Sequence, residues 1–485
     1  MKKLSTVILL SLLLSLFSSL LVAQQPTPEP KTPAKTDTTI RTHYGDRLED
    51  NPFYEKKYPL WVPAAEVIGF NASLLAVNKY VLKYDWAQVT TETWKKNLQG
   101  PWEWDRDLFG VNFIGHPYTG SIYFNAARSN GYSFAASIPF AIGGSLMWEY
   151  FGETTAPSYN DIIVTPAAGW FIGEILYRIS SNILNDRKRG GARVIRETGA
   201  FIVDPMRGLN RVFQGKVNRF TTDTTYQADL LNLSIFGGVR RLNEGTDFNT
   251  GEDNPFLNIS VFYGDPFENR FRKPFDFFKL RTEFNFLDGK IKLDNITGYG
   301  LLTGRNVDTK NFKMLYGLFQ HYNYWNNSTF ELGTISFGGG VATKIAMDKS
   351  AFYNNVYVSG VPLAGNSTRQ APSDTAIYRN YNYSGGLEVK LESSFDFRNI
   401  LTLNLLGYYY RLYNYVGPKE NSHVSLIKPS ISLTLYKNIR VGFEHLLYIN
   451  NVNHEGLPDL RLSSTEQKVF VLIYFENSRQ RKKYE

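Results

Sequence analysis

Phe278-Lys279-Leu280-Arg281-Thr282-Glu283-Phe284-Asn285-Phe286, then Asp288-Gly289, then Ile291, Leu293 and Asn295, decides the architecture. Apolar residues occupy every second position and charged or amide residues fall between them. That period belongs to a strand with one apolar and one polar face. Asp-Gly is the pair that closes a two-residue hairpin, because both positions need positive φ. The pattern recurs. Leu387, Val389, Leu391, Phe395 and Phe397 alternate with Glu388, Lys390, Glu392, Asp396 and Arg398. Ile431, Leu433 and Leu435 alternate with Ser432, Thr434 and Tyr436, and Leu257, Ile259, Val261 and Tyr263 with Asn258 and Ser260. Each run has about the 9–11 residues a tilted strand needs to cross a bilayer.

About 12 such segments lie between Tyr226 and Glu476, spaced by roughly 20 residues, the spacing of strand plus turn plus loop. Charges in mid-strand, such as Arg281 and Glu283, oppose a soluble barrel. Its apolar face would have to point inward, and a dozen long strands would enclose more space than side chains fill easily. The expected fold is therefore an α+β membrane protein, a small helical domain followed by an antiparallel transmembrane β-barrel of about 12 strands. Mixed-sign charges on the inner face predict a lumen filled by a polar network. The closing strand is expected at Val469–Phe475. The chain ends Tyr484-Glu485 after a basic run, so a terminal aromatic assembly signal is not evident.

Composition agrees. Hydrophobic residues make up 43% of the 485, with 31 Tyr and 34 Phe, yet mean hydropathy is −0.29. Alternating strands with aromatic girdles produce that combination, and spanning helices alone would be more hydrophobic. The net charge of +8 is spread out, and no nucleic-acid module is recognisable. Cys is absent, which excludes disulfides, thiolate chemistry and a lipoprotein anchor.

Lys2 and Lys3 precede an uncharged apolar run, Leu9 to Val22, and Ala23 is a suitable cleavage residue. Residues 1–23 are read as a signal peptide of an exported protein, and 24–50, with Pro26, Pro28, Pro30 and Pro33, as an extended linker. Residues 51–220 are expected to form the helical domain, 221–477 the barrel and 478–485 a basic tail. Helices are predicted at Ala65–Tyr84, Tyr118–Asn130, Ser133–Gly152 and Ser158–Leu184. None carries 18 uninterrupted apolar residues. The domain is therefore expected on the periplasmic mouth of an outer-membrane barrel, or dipping into the inner leaflet.

Chemistry concentrates between Asp105 and Asn210. The runs Gly115-His116-Pro117-Tyr118, Asn125…Arg128…Gly131, Trp148-Glu149-Tyr150…Glu153, Pro157-Ser158-Tyr159-Asn160-Asp161 and Thr165-Pro166 stand among Gly and aromatic residues. Glu149 and Glu153 are spaced to share a helix face. With His116 and Asp161 they form the candidate catalytic set, suited to general acid–base work or to a metal. Arg128, Asn125 and Asn160 are candidate substrate-binding residues, Arg128 for a phosphate or carboxylate. Each has a structural alternative. Ser158 and Asp161 match a capping box. Glu149 and Arg128 could be a buried ion pair, and His116 a satisfied hydrogen-bonder. Glu174 and Arg178 read as an i,i+4 pair. Gly143-Gly144-Ser145 lacks the second glycine of a nucleophile elbow and reads as a close-packing site.

These five runs resemble an uncharacterised family of exported bacterial proteins defined by a domain of unknown function, over about Leu108 to Arg211. The resemblance implies no activity. Two functions are expected to compete. One is an outer-membrane barrel in envelope structure, lipid handling or transport. The other is a membrane-bound hydrolase acting on lipid or lipopolysaccharide through the His/Glu/Asp cluster. Expected partners are outer-membrane lipid or lipopolysaccharide and the barrel-assembly machinery. No cofactor and no nucleic acid are expected, and no oligomeric state is implied. Geometry discriminates: His116, Glu149 and Asp161 converging in a cleft that opens to the bilayer favours the enzyme, and Glu149 sealed against Arg128 with no cavity favours the structural reading.

Overall fold

The computed structural model describes residues 57–476, apart from 221–229, 246–250, 269–271, 328–330, 368–380, 417–418 and 456–457. The signal peptide, the Pro-rich linker and the basic tail lie outside the described residues. Twelve antiparallel strands, β1 (Leu231–Glu244) to β12 (Leu460–Glu476), pair in sequence order, and β12 closes on β1. The closing strand is longer than expected. Asp288 and Gly289 both have positive φ, at 50° and 68°, as the two-residue hairpin requires.

The barrel is polar inside and apolar outside. Val239, Val358, Leu387, Leu433 and Val469 are exposed on the outer face. On the inner face Lys468 meets Glu283 (2.6 Å), Glu466 (3.2 Å) and Glu444 (3.6 Å), Arg240 meets Glu466 (2.8 Å), and Lys428 meets Glu444 (3.1 Å). The space between Arg281, Tyr408, Lys428, Tyr448 and Lys468 is about 10 Å³, about what one water needs. The filled lumen expected from the mixed-sign charges is present at this level. In planar bilayers the protein is expected to carry no steady porin-like current, and stepwise conductance from wild-type protein would contradict this packing.

Among the described residues seven α-helices precede the barrel: α1 (Trp61–Ala76, continued by a π-turn, Val77–Val81), α2 (Thr91–Gln99), α3 (His116–Arg128), α4 (Phe134–Phe151), α5 (Asp161–Ile183), α6 (Gly190–Val203) and α7 (Pro205–Phe213). The periodic apolar segments were legible as α1, α3, α4 and α5. The helices α2 and α6 were not anticipated, and α7 begins at Asp204-Pro205, a pair that reads in sequence as a turn or helix start leading into the barrel. α2 starts at a capping box between Thr90 and Thr93, and α7 starts at Asp204, whose carboxylate accepts from the Arg207 N–H (3.1 Å). By length and composition α5 could cross a membrane, and most of it is buried.

The bundle does not sit on a barrel mouth. Along β5 (Phe312–Asn326) the exposed Tyr316 and Leu318 mark the outer face, and Gln320, Tyr322 and Tyr324 continue that face in unbroken register with β6 (Glu331–Met347). These are the residues the bundle covers. Trp170 donates to Gln320 (2.7 Å), Gln320 donates to the Ala167 carbonyl (2.7 Å), Tyr322 bonds to the Phe113 carbonyl, and Phe109 stacks on Tyr324. At the rim where β1 begins and β12 ends, Arg178 donates to the Pro274 carbonyl (2.8 Å) and Phe134 stacks on Phe275. At the far rim Trp104 lies against Tyr383 and Tyr415. The bundle thus packs on the outer wall, between the Pro274–Phe275 connection at one end and Tyr383 and Tyr415 at the far rim. The expectation of a domain at the mouth is corrected. A contact surface of outward-facing aromatics and glycines (Gly298, Gly333, Gly365) accepts Phe171 and Phe113, and alternation alone could not tell that surface from a lipid-facing one.

Within the bundle α3 and α5 touch backbone to backbone. A Cβ on Gly120 would lie 1.8 Å from the Thr165 carbonyl oxygen, and one on Gly169 2.5 Å from the Gly120 carbonyl carbon. Gly120→Ala is therefore expected to destabilise by about 1–3 kcal/mol through overpacking. Gly143→Ala, with nothing within 4 Å of its Cβ, should be neutral or mildly stabilising. Urea denaturation of the two variants checks the contrast. Gly144 is the glycine of that run that packs, with Tyr123 filling the place of a Cβ.

Candidate functional site

Three helix ends meet at the far rim. His116 opens α3, with Pro117 beside it in the first turn. Glu149 lies in the last turn of α4 and Glu153 just beyond it. Asp161 opens α5. All four predicted catalytic residues line one cavity of about 1070 Å³, walled also by Trp86, Trp104, Tyr123 and Trp148. Among the described residues no group of three or more His, Asp or Glu is placed to hold a metal ion.

The cavity lies past the apolar band of the wall. On β9 (Leu401–Asn414) the outward face runs Leu403, Leu405, Gly407, Tyr409, then Arg411 and Tyr413. Tyr413 pairs with Gly385 of β8 (Asn382–Phe397), and Tyr383, two residues further out, donates to Asp105 (2.5 Å). Asp105 in turn accepts from Asn160 (2.6 Å). The cluster therefore stands at the level of Arg411 and the tyrosines, where an aromatic girdle and headgroups belong, outside the spanning segments.

His116 is the centre. Its Nε2 lies 3.6 Å from Asp161 Oδ1 and 3.8 Å from Asp107 Oδ2, and its Nδ1 lies 3.4 Å from Thr165 Oγ1. Burial alone would strip the imidazole of its proton. The charges of Asp161, Glu153 and Glu149 and the Asp107 hydrogen bond outweigh burial and lift His116 to about 10. Glu149 is pushed up to about 8, by burial first and then by Glu153. Glu153 is raised too, mainly by burial, although Trp148 Nε1 (2.7 Å) and Thr155 Oγ1 (2.9 Å) donate to its two oxygens. Near neutrality the site holds an imidazolium beside a carboxyl poised to titrate, the pairing an acid–base catalyst requires.

The capping-box reading holds in part. Ser158 Oγ accepts from the Asp161 N–H (3.2 Å) and donates to Asp161 Oδ2 (2.7 Å). The Ser158 backbone N–H, which a capping box would give to the acidic partner, goes instead to Glu149 (2.7 Å). So Glu149 is not sealed against Arg128. Arg128 is buried in a different place, with Nε 2.7 Å and Nη2 2.9 Å from Glu174. Its assignment to substrate is corrected: its charge is satisfied inside the bundle, away from the cavity. Asn125 is likewise buried and donates to the Gly173 carbonyl (3.1 Å). Asn160 bridges Asp105, Asn112 and Asp161 and fixes the loop to the barrel rim. Glu174 and Arg178 do form the i,i+4 pair (2.8 Å), shared with Arg128.

Sequence reasoning missed Asp105, Asp107 and Thr165 as members of the site. The first two sit two apart just before the Gly-His-Pro-Tyr run, in a stretch whose polar spacing gave no face. Thr165 is one turn after Asp161.

This is a membrane-type β-barrel carrying a lateral helical bundle with a buried acid–base cluster at one rim. Residues 101–206, the segment that supplies the cluster, match a family described as a domain of unknown function, DUF3943. No curated protein matches the chain. Among solved structures the chain is similar to the outer membrane channel DcaP of Acinetobacter baumannii (6% identity, 51% of this chain and 98% of that one, TM-score 0.23). It is similar also to the NanC porin (9%, 50% and 99%, TM-score 0.27) and to OmpT of Vibrio cholerae (7%, 50% and 99%, TM-score 0.21).

Proposed function

We propose that the protein is an outer-membrane enzyme that hydrolyses an ester-type bond in the polar part of a membrane lipid or lipopolysaccharide. The observation that carries this reading is the convergence of His116, Glu149, Glu153 and Asp161 on one cavity at headgroup level, with a filled lumen beside it. In the reaction Glu149, once ionised, takes a proton from water. The water oxygen bonds to the acyl or phosphoryl centre, and His116 gives its proton to the leaving oxygen as that bond breaks. Asp161 and Asp107 hold the imidazole and its charge.

Orientation follows the pattern of such barrels, with tight turns inside the cell and longer connections outside. By strand order, four of the five strand connections on the rim that holds both barrel termini have two or three residues (309–311, 348–349, 398–400, 437–438) and the fifth, 264–277, is long. On the far rim the strands β7 and β8, β9 and β10, and β11 and β12 are separated by 14, 5 and 5 residues, beside the two-residue Asp288-Gly289 turn. This orientation puts the cavity at the outer leaflet, whereas the sequence suggested the periplasmic side.

The test is hydrolysis by purified protein in vesicles made from lipid of cells that lack it, followed by mass spectrometry. One lipid species should shrink while its two hydrolysis products grow, and His116→Asn should stop this. No mass change with wild-type protein would overturn the reading. The rate should rise through about pH 8 as Glu149 loses its proton and fall through about pH 10 as His116 loses its own. A flat profile between pH 6 and 11 would remove these groups from the chemistry.

A further inference from the structure

The helices of the bundle are inside out. α1 and its π-turn run from Trp61 to Val81. At 1.5 Å per residue that is about 31 Å, the thickness of a hydrocarbon core. The segment begins beside Asn130, where the Tyr58 N–H meets the Asn130 carbonyl and Glu66 accepts from Asn130 and Asn210. It ends beside the headgroup-level cavity, which Asn78 lines. It therefore crosses the height of the barrel wall.

Its polar side chains turn inward. Glu66 is held by the two amides, Asn71 donates to the Gly144 carbonyl (3.0 Å), and Asn78 is buried. The outward residues are Trp61, Ala65, Ile68, Gly69, Ala72, Ser73, Ala76, Val77, Tyr80 and Val81, none of them charged. The one hydroxyl among the small residues, Ser73, is satisfied by the Gly69 carbonyl (2.7 Å). Aromatic rings mark both ends, Trp61 at one and Tyr80, Tyr84 and Trp86 at the other, and Lys57 and Lys83 lie just outside them. α4 repeats the pattern: no residue from Phe134 to Met147 is charged, and Ala135, Ala136, Pro139, Ile142 and Gly143 face outward. In water such faces would be a large apolar patch. Here they continue the apolar band of the barrel, whose outer face reappears beside the bundle at Leu318 and Val341.

We propose that α1 and the Phe134–Met147 stretch of α4, which stops short of Glu149, are lipid-facing membrane-spanning segments, so that this chain crosses one bilayer both by a closed barrel and by a helical bundle fused to its outer wall. The occupant of the two exposed faces is the acyl-chain region of the bilayer. The inference stands independently of whether the cavity is catalytic. It also provides a lateral route for a lipid to reach the cavity, since the bundle is surrounded by lipid on the sides the barrel does not cover.

The absence of native Cys makes the test direct. Nitroxide labels are placed in the full-length protein at Ile68→Cys, Ala72→Cys and Ile142→Cys, with Val358→Cys on the barrel band and Lys95→Cys on exposed α2 as references. Reconstitution is in phosphatidylcholine vesicles. The three helix labels should match Val358, colliding freely with dissolved oxygen and losing contact with a water-soluble nickel chelate. If they collide with the nickel chelate as the Lys95 label does, the bundle lies outside the bilayer and the proposal fails. Ala72→Cys adds only a thiol to an exposed methyl, so the result does not depend on a variant that misfolds.

Discussion

Glu149→Gln is expected to lower the rate of lipid hydrolysis in vesicles by about 10²–10⁴, the usual worth of a positioned acid–base group. The amide keeps the size of the side chain and can still accept from the Ser158 N–H, so the α4–α5 junction should persist. What disappears is a group that titrates near pH 8. Residual activity should lose its rising limb and keep the fall near pH 10 that belongs to His116. Asp161→Asn should act differently. It removes the carboxyl nearest His116 (3.6 Å), the one that does most to raise the imidazole against burial, and is expected to move the falling limb to lower pH. A Glu149→Gln rate within a factor of about three of wild type would eliminate Glu149 as the proton acceptor.

The largest stability effect is expected at Glu174. It is fully buried between two guanidiniums, Arg128 and Arg178, at 2.7–2.9 Å. Arg128 also lies over the Tyr177 ring (4.4 Å), which Arg207 approaches too (4.2 Å). Arg178 reaches out to the Pro274 carbonyl and over Tyr263, so this pair ties the bundle to the barrel. Glu174→Gln leaves two buried cations without their shared counter-charge, a change worth about 3–5 kcal/mol. The bundle should become sensitive to protease between Lys188 and Lys216 while the barrel keeps its heat-resistant gel mobility. Unchanged protease resistance would contradict the arrangement. Replacing all three by apolar residues of similar volume (Glu174→Leu with Arg128→Met and Arg178→Met) should recover much of the loss.

The barrel was legible because alternation reports directly on faces. Lys279, Arg281 and Glu283 stand opposite Leu280 and Thr282, and the structure turns the first set into the lumen and the second outward. The candidate set was legible because His116, Glu149 and Asp161 are costly to bury and lie among apolar residues. Their convergence was not, because it depends on Gly120 meeting Gly169 and on a Ser158 N–H that bonds across helices. Arg128 misled for a related reason. A buried arginine and a phosphate-binding arginine look the same until the partner is known, and Glu174, already assigned to Arg178, was that partner. The place of the bundle was the least legible feature. Gln320, Tyr322 and Tyr324 sit on an outward face, and only tertiary structure says that helices rather than lipid cover them.

The central claim is that the cavity at the far rim changes an outer-membrane lipid. The most direct measurement is a mass-spectrometric profile of lipid and lipopolysaccharide from three strains at equal barrel abundance: one without the protein, one with wild type, and one with Glu149→Gln. The account predicts a species that accumulates on deletion, disappears with wild type and persists with Glu149→Gln. Identical profiles in all three strains would contradict it.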